Sequence, residues 1–230
     1  MLSTPEIDLL ENSTLENALK IIAEKFGDSA LFSSSLGQED QVITDVIFKN
    51  NLPIKVFTLD TGRLFYEHYE LLSGNNSKYK IKTEVYFPDS KDVEKYVNEK
   101  GINAFYHSVE NRKECCFIRK VKPLNRALEG AKIWITGLRS EQSENRENMK
   151  MIEFDEERQL YKFNPLINWS YEDVLKYIEL HKIQELTLHN KGFISVGCAP
   201  CTRAIEPGEN PRAGRWFWET SQKECGLHSH

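Results

Sequence analysis

Apolar residues recur at helical spacing near the start of the chain. Leu15, Leu19, Ile22 and Phe26 follow the capping sequence Ser13-Thr14-Leu15-Glu16 and stop at Gly27. The short run Ala30-Leu31-Phe32 predicts a buried strand. It opens into a small-residue loop, Ser33-Ser34-Ser35-Leu36-Gly37-Gln38-Glu39-Asp40. Val42, Ile43, Val46 and Ile47 then share one helix face, up to Asn50-Asn51-Leu52-Pro53. Ile54 to Asp60 reads as the next strand, Thr61-Gly62-Arg63 as a turn, and a further helix starts near Leu64. Strands are expected over Lys82 to Phe87, Lys132 to Gly137 and Tyr161 to Ile167, with a helix over Asp92 to Glu99. Ser170-Tyr171-Glu172-Asp173 opens the last helix with an acidic first turn. Strand and helix in alternation imply a parallel sheet with right-handed crossovers. Beyond residue 190, Gly, Pro, Arg and Cys replace periodicity, which predicts irregular structure. The expected fold is α/β, a parallel twisted sheet with flanking helices. Residues 1–230 would form a single domain with an N-terminal helical segment (1–27) and an irregular Cys/Arg-rich segment (190–230).

Composition narrows the function. With 230 residues, 40% of them hydrophobic, the chain can bury a large core without disulfides. A net charge of −5 argues against a nucleic-acid partner, so any bound anion must meet a local basic patch. The N-terminus has no basic segment followed by an apolar run, and no stretch reaches the ~18–20 apolar residues of a membrane helix. The expectation is a cytoplasmic protein with no membrane association. Five cysteines in a reducing compartment must then be core residues, metal ligands or reactive groups.

Cys115-Cys116 and Cys198-Ala199-Pro200-Cys201 form a set of four. Four thiolates hold either zinc or an iron–sulfur cluster. A vicinal pair suits a single tetrahedral ion poorly, because both side chains must turn to one atom. A cluster offers each thiolate its own iron, which favours [4Fe–4S]. A thioredoxin-like dithiol at Cys198 and Cys201 is the rival. It sits late in the chain and leaves Cys115-Cys116 unexplained. Cys225, in Lys223-Glu224-Cys225-Gly226-Leu227-His228, reads either as a nucleophile with basic neighbours or as an exposed spare thiol.

Basic residues concentrate beside these cysteines: Arg119 and Lys120 after the pair, Arg203 after Cys201, then Arg212 and Arg215 around Gly214. Arg139 follows Gly137-Leu138 at the end of a strand. In an acidic chain this pattern points to a strongly anionic substrate. The loop from Ser33 to Asp40 follows a strand and opens a helix, a place suited to phosphate, although it is not a Walker P-loop.

Taken together, the loop with Gly37-Gln38-Glu39-Asp40, Leu59-Asp60-Thr61-Gly62-Arg63, Cys115-Cys116-x-x-Arg119-Lys120 and Thr136-Gly137-Leu138-Arg139 resemble the assimilatory adenylyl-sulfate reductases. So do Gly197-Cys198-Ala199-Pro200-Cys201-Thr202-Arg203, Arg212-Ala213-Gly214-Arg215-Trp216 and Glu224-Cys225-Gly226-Leu227-His228. The resemblance runs from about residue 30 onward and implies an adenine-nucleotide α-hydrolase-like fold. Its phosphate loop departs from the S-G-G-x-D-S pattern of the ATP pyrophosphatases at Leu36 and Gln41, against an ATP-cleaving activity.

The resemblance also implies the chemistry. Adenosine 5′-phosphosulfate would be reduced to sulfite and AMP. Ser34, Ser35, Gly37, Glu39 and Asp40 would hold the nucleotide phosphate. Lys120, Arg212 and Arg215 would bracket the phosphosulfate, with Arg119 and Arg139 as further candidates. Cys225 would attack the sulfonate sulfur, and thioredoxin or a similar dithiol would release sulfite. Cys115, Cys116, Cys198 and Cys201 would bind a [4Fe–4S] cluster that is not the electron carrier. No thioredoxin-like domain follows, so the donor is expected to be external, and a homo-oligomer is compatible with the sequence. The rivals are the 3′-phosphorylated substrate, alone or as a second substrate, an iron–sulfur tRNA sulfurtransferase and a zinc-binding structural module.

Overall fold

The computed structural model describes residues 2–142, 146 and 149–219. The chain divides into two compact units. One comprises the described parts of Met1–Thr58, Glu70–Glu84 and Gly130–Leu186; the other comprises those of Leu59–Tyr69, Val85–Glu129 and Thr187–His230.

In the first unit, helix α1 (Thr4–Glu11) precedes α2 (Leu15–Phe26). The Glu6 carboxylate accepts from the Ser3 N–H at 2.8 Å, a capping box the periodicity of the chain does not reveal. Thr14, not Ser13, caps α2: its Oγ1 accepts from the Asn17 N–H at 3.3 Å. Ser13 turns back to the Leu9 carbonyl. Gly27 ends the helix at φ +48°, a conformation that favours glycine.

The sheet contains β1 (Ala30–Ser33), β2 (Lys55–Leu59), β3 (Glu84–Tyr86), β4 (Ile133–Ile135), β5 (Ile152–Asp155) and β6 (Leu160–Phe163), in the order β3-β2-β1-β4-β6-β5. Strand β1 pairs in parallel with β2 and β4, and β4 pairs in parallel with β6, as strand–helix alternation predicts. Strand β5 is an antiparallel edge that the periodicity does not anticipate. Strand β6 stops at Phe163, short of the expected Ile167. Asn164 is buried there, accepting from Thr136 Oγ1 at 2.6 Å and donating to the Lys150 carbonyl.

Alternate strand residues build the core. Ala30, Phe32, Val56, Ile133, Ile135 and Phe163 pack with Leu19 and Ile22 of α2, Val42, Ile43, Val46 and Ile47 of α3 (Gln38–Lys49), and Val174 and Ile178 of α8 (Tyr171–His181). Helix α8 begins at a capping box of Ser170 with Asp173.

In the second unit, α5 (Ser90–Lys100) starts at Asp89, which caps it through the Lys91 and Asp92 N–H groups. A small cluster of Tyr96, Ala104 and Ile118, with Cys115 packed against it, joins α5 to the next helical segment. That segment is α6 (Val109–Cys116), a π-helical turn (Phe117–Val121) and α7 (Lys122–Ala127). The Lys122 N–H bonds the Phe117 carbonyl, one residue further back than in an α-helix. Pro123, which has no N–H to offer an α-helical ladder, follows directly. Helix α4 (Tyr66–Tyr79) belongs to the second unit up to Tyr69 and to the first from Glu70. Among the described residues, no helix is long and apolar enough to cross a membrane.

Candidate functional site

Strand β1 delivers the chain into a tight loop. Ser34 is buried, its N–H bonded to the Phe57 carbonyl at 2.8 Å and its Oγ accepting from the Leu36 N–H. Leu36 occupies the left-handed region at φ +65° with its side chain buried. This position, where the resembled pattern has a small residue, is strained for leucine, and packing holds it there. Gly37 caps α3. The N–H and Oγ of Ser35 both donate to Asp40 Oδ2, at 2.5 and 2.6 Å. The loop is thus closed by a serine–aspartate clasp at the start of α3.

Asp40 is 7% exposed, and burial pushes its pKa up to about 7, against the opposing pull of the Ser35 bonds. A Cβ at Gly137 would run into Asp40 Oδ1 and lie 3.2 Å from its Cγ, so glycine is required there by close approach. Two residues on, Arg139 is 4% exposed. Its guanidinium meets Glu39 at 2.9 Å and Glu141 at 3.1 Å, donates to the Trp169 carbonyl and lies 5.5 Å over the Tyr171 ring. Gln38 accepts from Tyr171 Oη and donates to Glu185. Ser34, Ser35, Gly37, Glu39, Asp40 and Arg139 are therefore one neighbourhood, in which Arg139 is already neutralised by carboxylates.

In the second unit, Cys115, Cys116, Cys198 and Cys201 line a single cavity of ≈ 20 Å³ together with Arg63, Phe105, Arg112, Arg119, Lys120 and Pro200. Cys115 and Cys116 end α6, and Cys198 and Cys201 bracket the 3₁₀ turn Ala199–Cys201. The Cys198 Sγ lies 3.3 Å from Thr61 Oγ1, which also accepts from the Arg63 N–H. Arg119 donates to the Thr61 carbonyl at 2.6 Å and passes close over Gly62. Burial, then the charges of its fellow cysteines, pushes the Cys201 thiol up to about 12, and burial raises Cys115 as well. Two buried thiols that resist ionisation, Cys115 and Cys201, suit a centre that supplies positive charge. Among the described residues no three metal-ligating groups converge on one point. The four cysteines share the wall of one cavity, and a thiolate set of this kind holds either zinc or an iron–sulfur cluster.

Arg215 sits in an isolated β-bridge with Thr202, 8% exposed, its guanidinium 4.7 Å over the Trp216 ring. A Cβ at Gly197 would meet Arg215 Nη2 at 2.5 Å, so this glycine admits the guanidinium. Arg212 is half-buried in the preceding turn, its carbonyl accepting from the Arg215 N–H. Arg203 is held instead by Glu209, through two bonds of 2.9 Å. Lys120 lies at the cavity with the cysteines. Cys225, with the tail around it, lies outside the described residues.

Arg63, Phe105, Thr61 and Arg112 are part of this neighbourhood and absent from the sequence-based set. Arg63 and Thr61 carried a signal, since both stand in the Leu59–Arg63 motif. Arg112 carried none: within Val109-Glu110-Asn111-Arg112-Lys113-Glu114 it reads as one charge on a solvated face.

Comparison with known proteins bears on both neighbourhoods. Residues 29–204 match the phosphoadenosine phosphosulfate reductase domain family. The adenosine 5′-phosphosulfate reductase of Sinorhizobium fredii (strain USDA 257) is 50% identical over 222 residues, 96% of this chain and 88% of that protein. That of Allochromatium vinosum is 45% identical over 228 residues, 99% of this chain and 88% of that protein. The crystal structure of phosphoadenylyl-sulfate reductase from Candida auris, a phosphate complex, superposes with a TM-score of 0.72 at 25% identity, covering 87% of this chain and 97% of that one. The expected adenine-nucleotide α-hydrolase-like fold is borne out by that superposition, and with a family match over most of its length the chain belongs to the phosphoadenosine phosphosulfate reductase family.

Proposed function

We propose that this protein reduces adenosine 5′-phosphosulfate to sulfite and AMP in sulfate assimilation, with thioredoxin or a similar dithiol as electron donor. The observation that carries this reading is the gathering of four cysteines, Lys120 and Arg119 around one cavity, in a chain so similar to proteins named for that reaction. The Ser33–Asp40 loop takes the nucleotide phosphate at the start of α3, toward the first-turn backbone N–H groups of that helix. Lys120, Arg212 and Arg215 surround the phosphosulfate and neutralise charge that would otherwise repel a thiolate. Buried arginine is suited to this, because it stays protonated.

The Cys225 thiolate attacks the sulfonate sulfur. The new S–S bond forms as the bond from sulfur to the bridging phosphate oxygen breaks, and AMP leaves with that electron pair. One thiolate of the dithiol then attacks Cys225 Sγ and expels sulfite. The second thiol closes a disulfide, so two electrons pass from the dithiol to sulfur and Cys225 returns as a thiol. Cys115, Cys116, Cys198 and Cys201 would hold a [4Fe–4S] cluster, which would supply charge beside Lys120. The reaction belongs to the cytoplasm, where dithiol donors are kept reduced.

The family description and the Candida auris relative favour a second substrate reading, the 3′-phosphorylated nucleotide. One experiment separates the two. Protein purified without oxygen is supplied with thioredoxin and each nucleotide in turn, and sulfite is measured. Release from the unphosphorylated nucleotide at the higher kcat/KM is expected. Preference for the 3′-phosphorylated one would overturn the substrate assignment, and release from neither would overturn the function. Cys225→Ser should lose sulfite release by several orders of magnitude while keeping the visible absorption of a cluster. Normal turnover in that variant would exclude Cys225 as nucleophile.

A further inference from the structure

The four-cysteine cavity has a fully buried cation in its wall that the reaction above does not use. Arg112 projects from α6, one turn before Cys116, and is 0% exposed. Its Nε donates to Glu219 Oε1 at 2.7 Å, with the two side chains 0% and 5% exposed. Its guanidinium also lies 4.6 Å over the Trp216 ring, which Arg215 covers at 4.7 Å. The backbone stitches the same place: the Trp216 N–H bonds the Cys201 carbonyl at 3.0 Å, and the Glu219 N–H bonds the Trp216 carbonyl at 2.8 Å. Trp218 meets Tyr106 edge-on at 4.4 Å, and the Tyr106 hydroxyl donates to the Pro200 carbonyl. The stretch Arg215–Glu219 is thus fastened to both cysteine-bearing segments, and a buried ion pair is its last fixed point.

Glu219 stands six residues before Cys225. Six residues span at most roughly 20 Å, so fixing Glu219 at the cavity wall sets an upper limit on the distance of Cys225 from it. We propose that Arg112 and Glu219 are positioning residues: their buried pair tethers the root of the nucleophile's tail to the wall of the four-cysteine cavity, which keeps Cys225 within reach of the phosphosulfate. The proposal rests on Cys225 being the nucleophile and adds to that reading a reason for a paired charge beside the cysteines. Tethering acts on the encounter of thiolate and sulfur, not on the binding of nucleotide. Its loss therefore lowers the rate of transfer and leaves the affinity for the nucleotide in place.

The test uses the full-length protein purified without oxygen. Glu219→Gln keeps the shape of the pair and removes its charge; Arg112→Lys keeps the charge and removes the fork and the ring contact. Single-turnover formation of the Cys225 S-sulfonate, without dithiol, is expected to slow about tenfold or more in both. Nucleotide affinity should stay within about twofold of wild type, and the visible spectrum should not change. Glu219→Asp should recover part of the rate. Amide hydrogen exchange at residues 216–219 should speed up in Glu219→Gln.

An unchanged transfer rate overturns the proposal. So does a loss of nucleotide affinity or visible absorption in step with the rate, which makes the pair part of the cavity's structure rather than a tether. If the wild type places no sulfonate on Cys225, the nucleophile reading falls. The tether is then judged on exchange alone, and unchanged protection at residues 216–219 in Glu219→Gln overturns it.

Discussion

Asp40 carries an unusual load for one carboxyl group. It receives two bonds from Ser35, is buried against Gly137, and holds its proton up to about pH 7. The sign of the linkage follows. Its folded pKa is raised above the ordinary carboxylate value, so the native state binds a proton the unfolded chain releases near pH 4. This contribution to stability is complete below the unfolded pKa and is lost as pH rises through about 7. Urea titrations of wild type and Asp40→Asn should diverge over that window. The wild type loses on the order of a few kcal/mol relative to the variant between pH 4 and pH 7; parallel profiles would refute the burial argument. Gly137→Ala tests the same contact from the other side and should lower stability by about 1–3 kcal/mol through crowding. The motif around both residues was legible in the sequence. Their contact was not, because Asp40 and Gly137 come from separate strand–helix turns and nothing local to either names the other.

Helix ends were legible where a side chain declares them. Ser170, followed by Glu172 and Asp173, announced α8, and its Oγ accepts from the Asp173 N–H at 3.1 Å. Ser170→Ala should cost about 1 kcal/mol, read as a lower denaturation midpoint at unchanged slope. Turnover should be unaffected, since the cap meets no substrate group. A loss of activity without a loss of stability would contradict that assignment. The helical stretch from Val109 to Ala127 was illegible for two physical reasons. Its buried positions in α6 are Arg112 and Cys116, so the inward face has no apolar stripe. The π turn then shifts the register by one residue, and Pro123 argues against a continuing helix. Strand β5 escaped because Ile152–Asp155 is four residues long and only one of its neighbours in the sheet, β6, fixes it.

At the scale of the whole chain, the cysteines were legible because they fall in two short pairs, Cys115-Cys116 and Cys198-x-x-Cys201. Their convergence on one cavity is a property of the fold. That cavity belongs to the second unit, whereas the large apolar core of Leu19, Ile22, Phe32, Val46, Ile135 and Phe163 belongs entirely to the first. A centre bound by all four thiolates would cross-link two segments separated by 81 residues inside the second unit. Its positive charge would also offset the burial and mutual repulsion that push the Cys201 thiol up to about 12. Removing such a centre should therefore have a local effect. After chelation under mild oxidation, amide exchange should accelerate in residues 109–121 and 195–219, while α2, α3 and β1 keep their protection. The same profile should follow Cys198→Ser, along with loss of visible absorption. Uniform acceleration through the core of the first unit would mean that the centre holds the whole chain together. Unchanged protection around Cys116 and Cys201 would mean that no shared centre cross-links them.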